Sequence, residues 1–554
     1  MKKTNWYKNS IGYIIYPSSY YDTNDDGIGD LPGIIKKLDY LSWLGVDLIW
    51  ICPIFKSPMD DYGYDVSDFE HVNPLFGKDE DLIKLLNEAH KRGIHIVLDL
   101  VLNHTSDEHP WFKKAITNPN SEEYGYYIFK DKPNNWSGFF NTSTWEYVPS
   151  LDKYFFHCFS KTMPDLNWAN PHLREEIYKV ARKYLDLGVD GFRLDAVAHL
   201  AKDMTFEDIK GPVDKDGLAF DPSKFSNREE VYKYLNLLNE NVFSKYDIVT
   251  VGEVGGSVQP KESLRYNNKE NGPIDLVFNF DTAWCNGAYG SIDKSDEEIR
   301  TDVMCLKNGF LRWYKNCYKD AKGLAIYWNN HDHPRCLSQY GSVQYRNESG
   351  KMLITVLLFL YGVPFIHYGD EIGMSNTTYT ELEDFKDVSA QNYLKSYGHL
   401  YPKEQLLRFE NRTSRVSGRT PMQWEDSLYA GFSHHEPHLK INDNYHEVNV
   451  ASNMKNEHSI LNYYRKAIKI RKEEDISSFV HDEYFSFIDV LNEDVFAYSH
   501  GSNQELVCIA NFRDYDVSFP FDKSSYDILL HNYESVENDD ILRPFECYLL
   551  RKKH

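Results

Sequence analysis

The chain has 554 residues, of which 42% are hydrophobic and 26% charged, and it carries a net charge of -23. That length exceeds one ordinary core, so two or three domains are expected, one of them a large α/β barrel. The charge argues against nucleic acid or an anionic membrane as partner, since both require clustered positive charge.

The opening stretch, MKKTNWYKNSIGYIIYP, turns polar before any apolar h-region, and no run of about 20 apolar residues follows. No signal peptide or membrane span is therefore expected. Eight cysteines (52, 158, 285, 305, 317, 336, 508 and 547) lie far apart without a CxxC pair. They read as reduced, mostly buried thiols of a cytoplasmic protein.

Short apolar runs alternate with segments of helical period. They are GYIIYP (12–17), VDLIWICPI (46–54), HIVLDLVLNH (95–104), VDGFRLDAV (189–197), DIVTVGEV (247–254), LVFNF (276–280), LAIYWNNHD (324–332) and PFIHYGDEIG (364–373). Near-continuous apolar strands followed by amphipathic helices mark a parallel sheet covered on both faces. Eight such units predict a closed (β/α)8 TIM barrel of the α/β class. Neither GxGxxG nor GxxxxGK[ST] accompanies them, which argues against a nucleotide site or an organic cofactor. The predicted barrel occupies 1–103 and 164–475. An inserted subdomain rich in Asn, Trp and Tyr follows the third strand at 104–163. Alternating strands at 476–554 predict a C-terminal antiparallel β-sandwich domain.

Strand ends of such a barrel converge on one face. Here they carry Asp99, Asn103 and His104, then Arg193 and Asp195, then Glu253, then Asn330, His331 and Asp332. Packing alone would not select these residues, because each must be desolvated and paired. Arg193 and Asp195 sit two apart on a strand and so share a face. An arginine there favours an ionised carboxylate, as a nucleophile requires. Glu253, in the apolar context VTVGEV, is expected to be the general acid. Asp332, with His331 and His104, is expected to bind sugar hydroxyls and to stabilise an oxocarbenium-like transition state.

DLVLNH, GFRLDAV, GEV and NNHD together resemble the four conserved regions of the α-amylase family of glycoside hydrolases. YPSSYYDTNDDGIGD, MPDLNW and RTPMQWEDSLYAGFS extend the likeness to its oligo-1,6-glucosidase and α-glucosidase branch. The resemblance implies exo-acting, retaining removal of a terminal α-glucose from short oligosaccharides. It also implies that Asp61, Tyr64, His104, Arg193, His331, Asp332 and Arg415 grip that glucose, with Phe140 lining the pocket. In this branch Val after the nucleophile accompanies α-1,6 preference, and Ala or Thr accompanies α-1,4; here the residue is Ala196. RVSGRTPMQW departs from the branch pattern RDNARTPMQW at Val416 and Ser417, on the acceptor side.

The loop DTNDDGIGD places Asp22, Asn24, Asp26, Ile28 and Asp30 at positions 1, 3, 5, 7 and 9 of an EF-hand-like spacing. Gly33 stands where the closing Glu would be, so a structural Ca2+ or Mg2+ is expected rather than a switch. The branch uses this loop the same way. Competing readings are a glucosyl transferase or isomerase, a trehalose-6-phosphate hydrolase, or a barrel scaffold like the heavy chains of amino-acid transporters. The last requires a membrane helix and lost acids. A monomer acting on a small α-glucoside is expected.

Overall fold

The computed structural model describes residues 3–255, 257–481, 484–536 and 540–553. Eight parallel strands close into a barrel: Gly12–Ile15, Leu48–Ile51, His95–Val101, Gly191–Asp195, Val249–Glu253, Leu276–Phe278, Leu324–Tyr327 and Val363–His367. They run in chain order around the barrel, and the first pairs with the eighth. The strands are buried along almost their whole length, as a sheet packed on both faces requires. Helix Pro171–Asp186 leads into the fourth strand, with Asn170 capping its first turn at the His172 amide. Gly191 then starts that strand at a φ of 154°, and a Cβ there would lie 1.9 Å from the Val249 carbonyl oxygen. Only glycine permits the fourth and fifth strands to approach so closely.

Register sets the site. Asp99 lies beside Arg193, and Val101 beside Asp195, across the third and fourth strands. Val251 lies beside Arg193 on the other side, which puts Glu253 at the same end of the barrel.

Between the third strand and helix Pro171–Asp186 lies a small three-stranded sheet, Phe129–Lys130, Trp145–Val148 and Lys153–Phe156. It has its own core of Ile128, Trp136, Trp145 and Phe156. After the eighth strand come helices Val388–Tyr397 and Lys403–Thr413, the turn Arg415–Arg419, and the last barrel helix Ile460–Arg471. The C-terminal region forms a five-stranded antiparallel sheet from Phe485 to Lys552. A second pair, Val517–Ser518 with Ile541–Leu542, shares an apolar layer with it.

One expectation is corrected. Cys285 and Cys305 form a disulfide, which ties the loop after the sixth strand to helix Val303–Cys317. The other six cysteines are free and buried. Among the described residues, no helix is long and apolar enough to cross a membrane.

Candidate active site

Arg193 projects from the fourth strand with 2% of its side chain exposed. Its Nη1 donates to Asp195 Oδ1 at 2.6 Å and to the Asp99 oxygens at 2.9 and 3.1 Å. Its Nη2 lies 2.7 Å from Glu253 Oε2. One guanidinium thus holds three carboxylates from three consecutive strands. Burial pushes Asp195 up, Arg193 opposes it, and Glu253 and Asp99 add to the rise, so its carboxyl lies well above the usual range. Asp99 is also raised, by burial against the pull of Arg193. Arg193 pulls against that rise, as the sequence implied, but its one charge is shared among three carboxylates. Asp99 and Asp195 share that charge and titrate as a coupled pair.

Glu253 does not meet the apolar surroundings that VTVGEV suggested. Its Oε2 also accepts the Ala196 amide at 3.0 Å, and 22% of the side chain is exposed. Ala196 adopts a left-handed conformation (φ 46°), which turns its amide out of the strand toward that acid.

A second cluster surrounds Asp332. Its Oδ1 accepts from Arg415 Nη1 and Arg419 Nη2, both at 3.0 Å, and its Oδ2 lies 3.2 Å from His331 Nε2. Burial works against this carboxylate, but His331, Arg415 and Arg419 overcome it and hold it well below the usual range. Tyr64 Oη lies 2.7 Å from His331 Nε2 and donates to Asp99 Oδ2 at 3.0 Å, linking the two clusters. Arg415 Nη2 reaches Asp61 at 2.9 Å.

His104 is buried, and burial holds its pKa below the ordinary value. Its Nδ1 accepts from Asn103, and its Nε2 has no protein partner. A buried imidazole N–H without a partner is the kind of group that a sugar hydroxyl satisfies. The Phe159 ring lies 5.4 Å from His104, and Phe140 lies 6.1 Å from Phe159. Asp61, Tyr64, Arg193, Asp195, Glu253, His331, Asp332 and Arg415 therefore form one connected constellation, while His104 and Phe140 meet through Phe159.

The loop at 22–30 is held by its own hydrogen bonds. Asp22 accepts from the amides of Asn24, Asp25 and Gly27 and from Ser433 Oγ. Asp26 accepts from Asn24 Nδ2 and the Ile28 amide. Asp30 accepts from the amide and hydroxyl of Thr23 and from the Gly33 amide that starts helix Leu31–Leu44. Among the described residues no group of three or more His, Cys, Asp or Glu converges on a cation position. Asp22, Asn24, Asp26, Asp30 and the Ile28 carbonyl supply oxygen donors of the kind a hard cation takes.

Two partners of the constellation lay outside the candidate list drawn from sequence. Arg419, in the RTPMQW stretch, donates to Asp332 and to the His331 carbonyl. Asp387 Oδ2 accepts from Arg415 Nε at 2.6 Å. RTPMQW carried a signal for the first; FKDVSA carried none for the second beyond an Asp at a helix start. Val416 and Ser417, where the branch pattern is broken, are both buried, and Val416 packs with Tyr379, Phe385, Ala390 and Leu439.

The profile described as "Alpha amylase, catalytic domain" matches residues 14–479. An oligo-1,6-glucosidase of Parageobacillus thermoglucosidasius is 39% identical over 98% of both chains. A crystal structure of Bacillus licheniformis trehalose-6-phosphate hydrolase superposes with a TM-score of 0.90 at 34% identity, covering 99% of this chain and 100% of that one. Isomaltulose synthase from Klebsiella sp. LX3 gives 0.91 at 32% identity, covering 99% of each. With the barrel, its strand-end acids and this full-length similarity together, the chain is a glycoside hydrolase and belongs to the α-amylase family.

Proposed function

We propose that the protein is an exo-acting, retaining α-glucosidase that releases terminal glucose from short oligosaccharides joined by α-1,6 or α-1,4 bonds. The observation that carries this reading is the pair Asp195 and Glu253, held on neighbouring nitrogens of one guanidinium at 2.6 and 2.7 Å. Sharing one guanidinium keeps the two carboxylates close, and retention calls for a nucleophile and an acid about 5 Å apart. Asp195 attacks the anomeric carbon while Glu253 gives its proton to the glycosidic oxygen, and the C–O bond breaks. Water then gives a proton to Glu253 and displaces Asp195 from the same carbon. Asp332, kept ionised by its cations, offsets positive charge developing on the sugar ring. Asp61, Tyr64, His104, His331 and Arg415 bind the hydroxyls of that ring. The names of the full-length relatives support α-1,6 bonds, and Ala196 supports acceptance of α-1,4 bonds.

In the same reading the loop at 22–30 holds a structural Ca2+ or Mg2+ through Asp22, Asn24, Asp26, Asp30 and the Ile28 carbonyl. The protein works as a cytoplasmic monomer; the six buried free cysteines support a reducing compartment, and the Cys285–Cys305 bond runs against it. Sedimentation and a thiol count in denaturant test these two points.

The test of function is glucose release from maltose, isomaltose, sucrose, trehalose and trehalose 6-phosphate, with Asp195→Asn in parallel. The first two substrates are expected to give free glucose, and Asp195→Asn to lose at least about a thousandfold of that rate. Release mainly from trehalose 6-phosphate, conversion of sucrose to an isomer, or a fully active Asp195→Asn would sink the reading.

A further inference from the structure

We propose that Asp387, in the segment after the eighth strand, is a positioning residue for Arg415. This rests on the reading of Arg415 as a ligand of the terminal glucose. Each donor group of the Arg415 guanidinium meets a different carboxylate. Nη1 reaches Asp332 at 3.0 Å and Nη2 reaches Asp61 at 2.9 Å, both in the glucose-binding constellation. Nε, on the remaining side, reaches Asp387 Oδ2 at 2.6 Å. Asp387 is 1% exposed, so this ion pair is hidden from water and screened little by salt. Its Oδ2 also lies 3.5 Å from Arg419 Nη1, which has no hydrogen-bond partner.

The two oxygens of Asp387 divide their work. Oδ1 caps helix Val388–Tyr397 at the amides of Ser389 and Ala390, and Oδ2 holds the arginines. The preceding carbonyl, Lys386, accepts from Tyr62 Oη, so the loop that bears Asp61 is tied to the same point. Helix Lys403–Thr413, next in the chain, is fastened to the loop after the sixth strand through Gln405 to the Ile292 carbonyl and Asp293. Arg412 adds bonds to the Ser291 carbonyl and Asp296. Asp387 is thereby fixed by a braced pair of helices and transmits that fixity to Arg415. Without it, the arginine is held only by the two carboxylates that also serve the sugar. A guanidinium free to swing about its Nε loses the fixed fork geometry that recognises hydroxyls.

Helix capping and arginine positioning separate experimentally, because Ser and Asn cap a helix nearly as well as Asp while Ala does not. Asp387→Asn, Asp387→Ser and Asp387→Ala are compared with the unmodified protein for hydrolysis of an aryl α-glucoside, for glucose binding, and for Tm. All three variants are expected to lose roughly 10- to 100-fold in kcat/KM, with KM for the glucoside and Kd for glucose both raised. Only Asp387→Ala is expected to show a marked fall in Tm. In an Arg415→Lys background, Asp387→Asn is expected to cost little more. Asn and Ser variants within twofold of the unmodified protein in kcat/KM and glucose Kd would overturn the proposal. So would activity that tracks Tm across the three. Failure of the unmodified protein to hydrolyse the glucoside strikes instead at the reading of the site, and glucose Kd still reports on Asp387.

Discussion

Ala196 carries two demands that pull in different directions. Its side chain follows Asp195, the proposed nucleophile, and in that reading added methyl groups narrow the acceptor side of the pocket. Its backbone is left-handed (φ 46°) and gives its amide to Glu253. A β-branched residue is a poor fit for that conformation, at a cost on the order of 1–3 kcal/mol. Ala196→Val is therefore expected to raise the isomaltose-to-maltose ratio of kcat/KM by roughly tenfold, within the range that one small pocket change supplies. It is expected at the same time to lower Tm and to slow both substrates. Steady-state kinetics on the two disaccharides decide the matter: an unchanged ratio removes the steric account. Glu253 gives the complementary lesson. Its apolar sequence context described the neighbours along the strand, whereas its carboxylate meets Arg193 and Ala196 from the adjoining strand and turn.

At the scale of elements, the eight barrel strands were legible because burial on both faces forces continuous apolar runs, and a polar residue at the end of such a run stands out. Asp99 was visible on the same grounds, but its partner emerged only from the register that sets it beside Arg193. The Cys285–Cys305 bond was not legible, since two cysteines in a loop and a helix start leave no spacing signature. Asp387 was hidden for a similar reason: its local pattern is that of any helix cap, and its second duty depends on contacts far along the chain. The loop at 22–30 is the intermediate case. Its donor spacing is plain in the sequence, while the turning of Asp30 to the following helix is not. If Asp22, Asn24, Asp26, Asp30 and the Ile28 carbonyl hold a cation, binding to the folded state raises Tm by mass action. Chelation is expected to lower Tm by several degrees and added Ca2+ to restore it, with Asp26→Ala insensitive to both. A Tm indifferent to chelator in the unmodified protein removes the metal from this loop.

For the whole molecule, buried titratable groups set where folding is strongest. Burial depresses His109 and His481 to about 3, and His199, His333, His438 and His500 to about 4. Unfolding frees these rings to bind protons near pH 6.5, so their contribution is complete above that pH and is lost as pH falls toward 4. Burial raises Asp65 to about 6, Asp370 to about 7 and Glu410 to about 8, with Asp387 adding to the rise of Glu410. These carboxyls hold protons in the folded state that the unfolded chain gives up near pH 4. Their contribution is therefore complete below about pH 4 and declines as pH rises through the folded values. Between pH 4 and 6.5 the six imidazoles outnumber the three carboxyls, and stability rises with pH. Above 6.5, Asp370 and Glu410 are the two of these nine groups that still titrate, and they draw stability down. Maximum Tm is thus expected near pH 6.5, with the alkaline decline reaching to about pH 8. Glu410→Gln isolates the longer-ranging of the two groups: it is expected to raise Tm relative to the unmodified protein at pH 8.5 and not at pH 4.5. Calorimetry across that interval checks the sign, and a Glu410→Gln variant whose decline above pH 7 matches the unmodified protein assigns the alkaline limb to other groups.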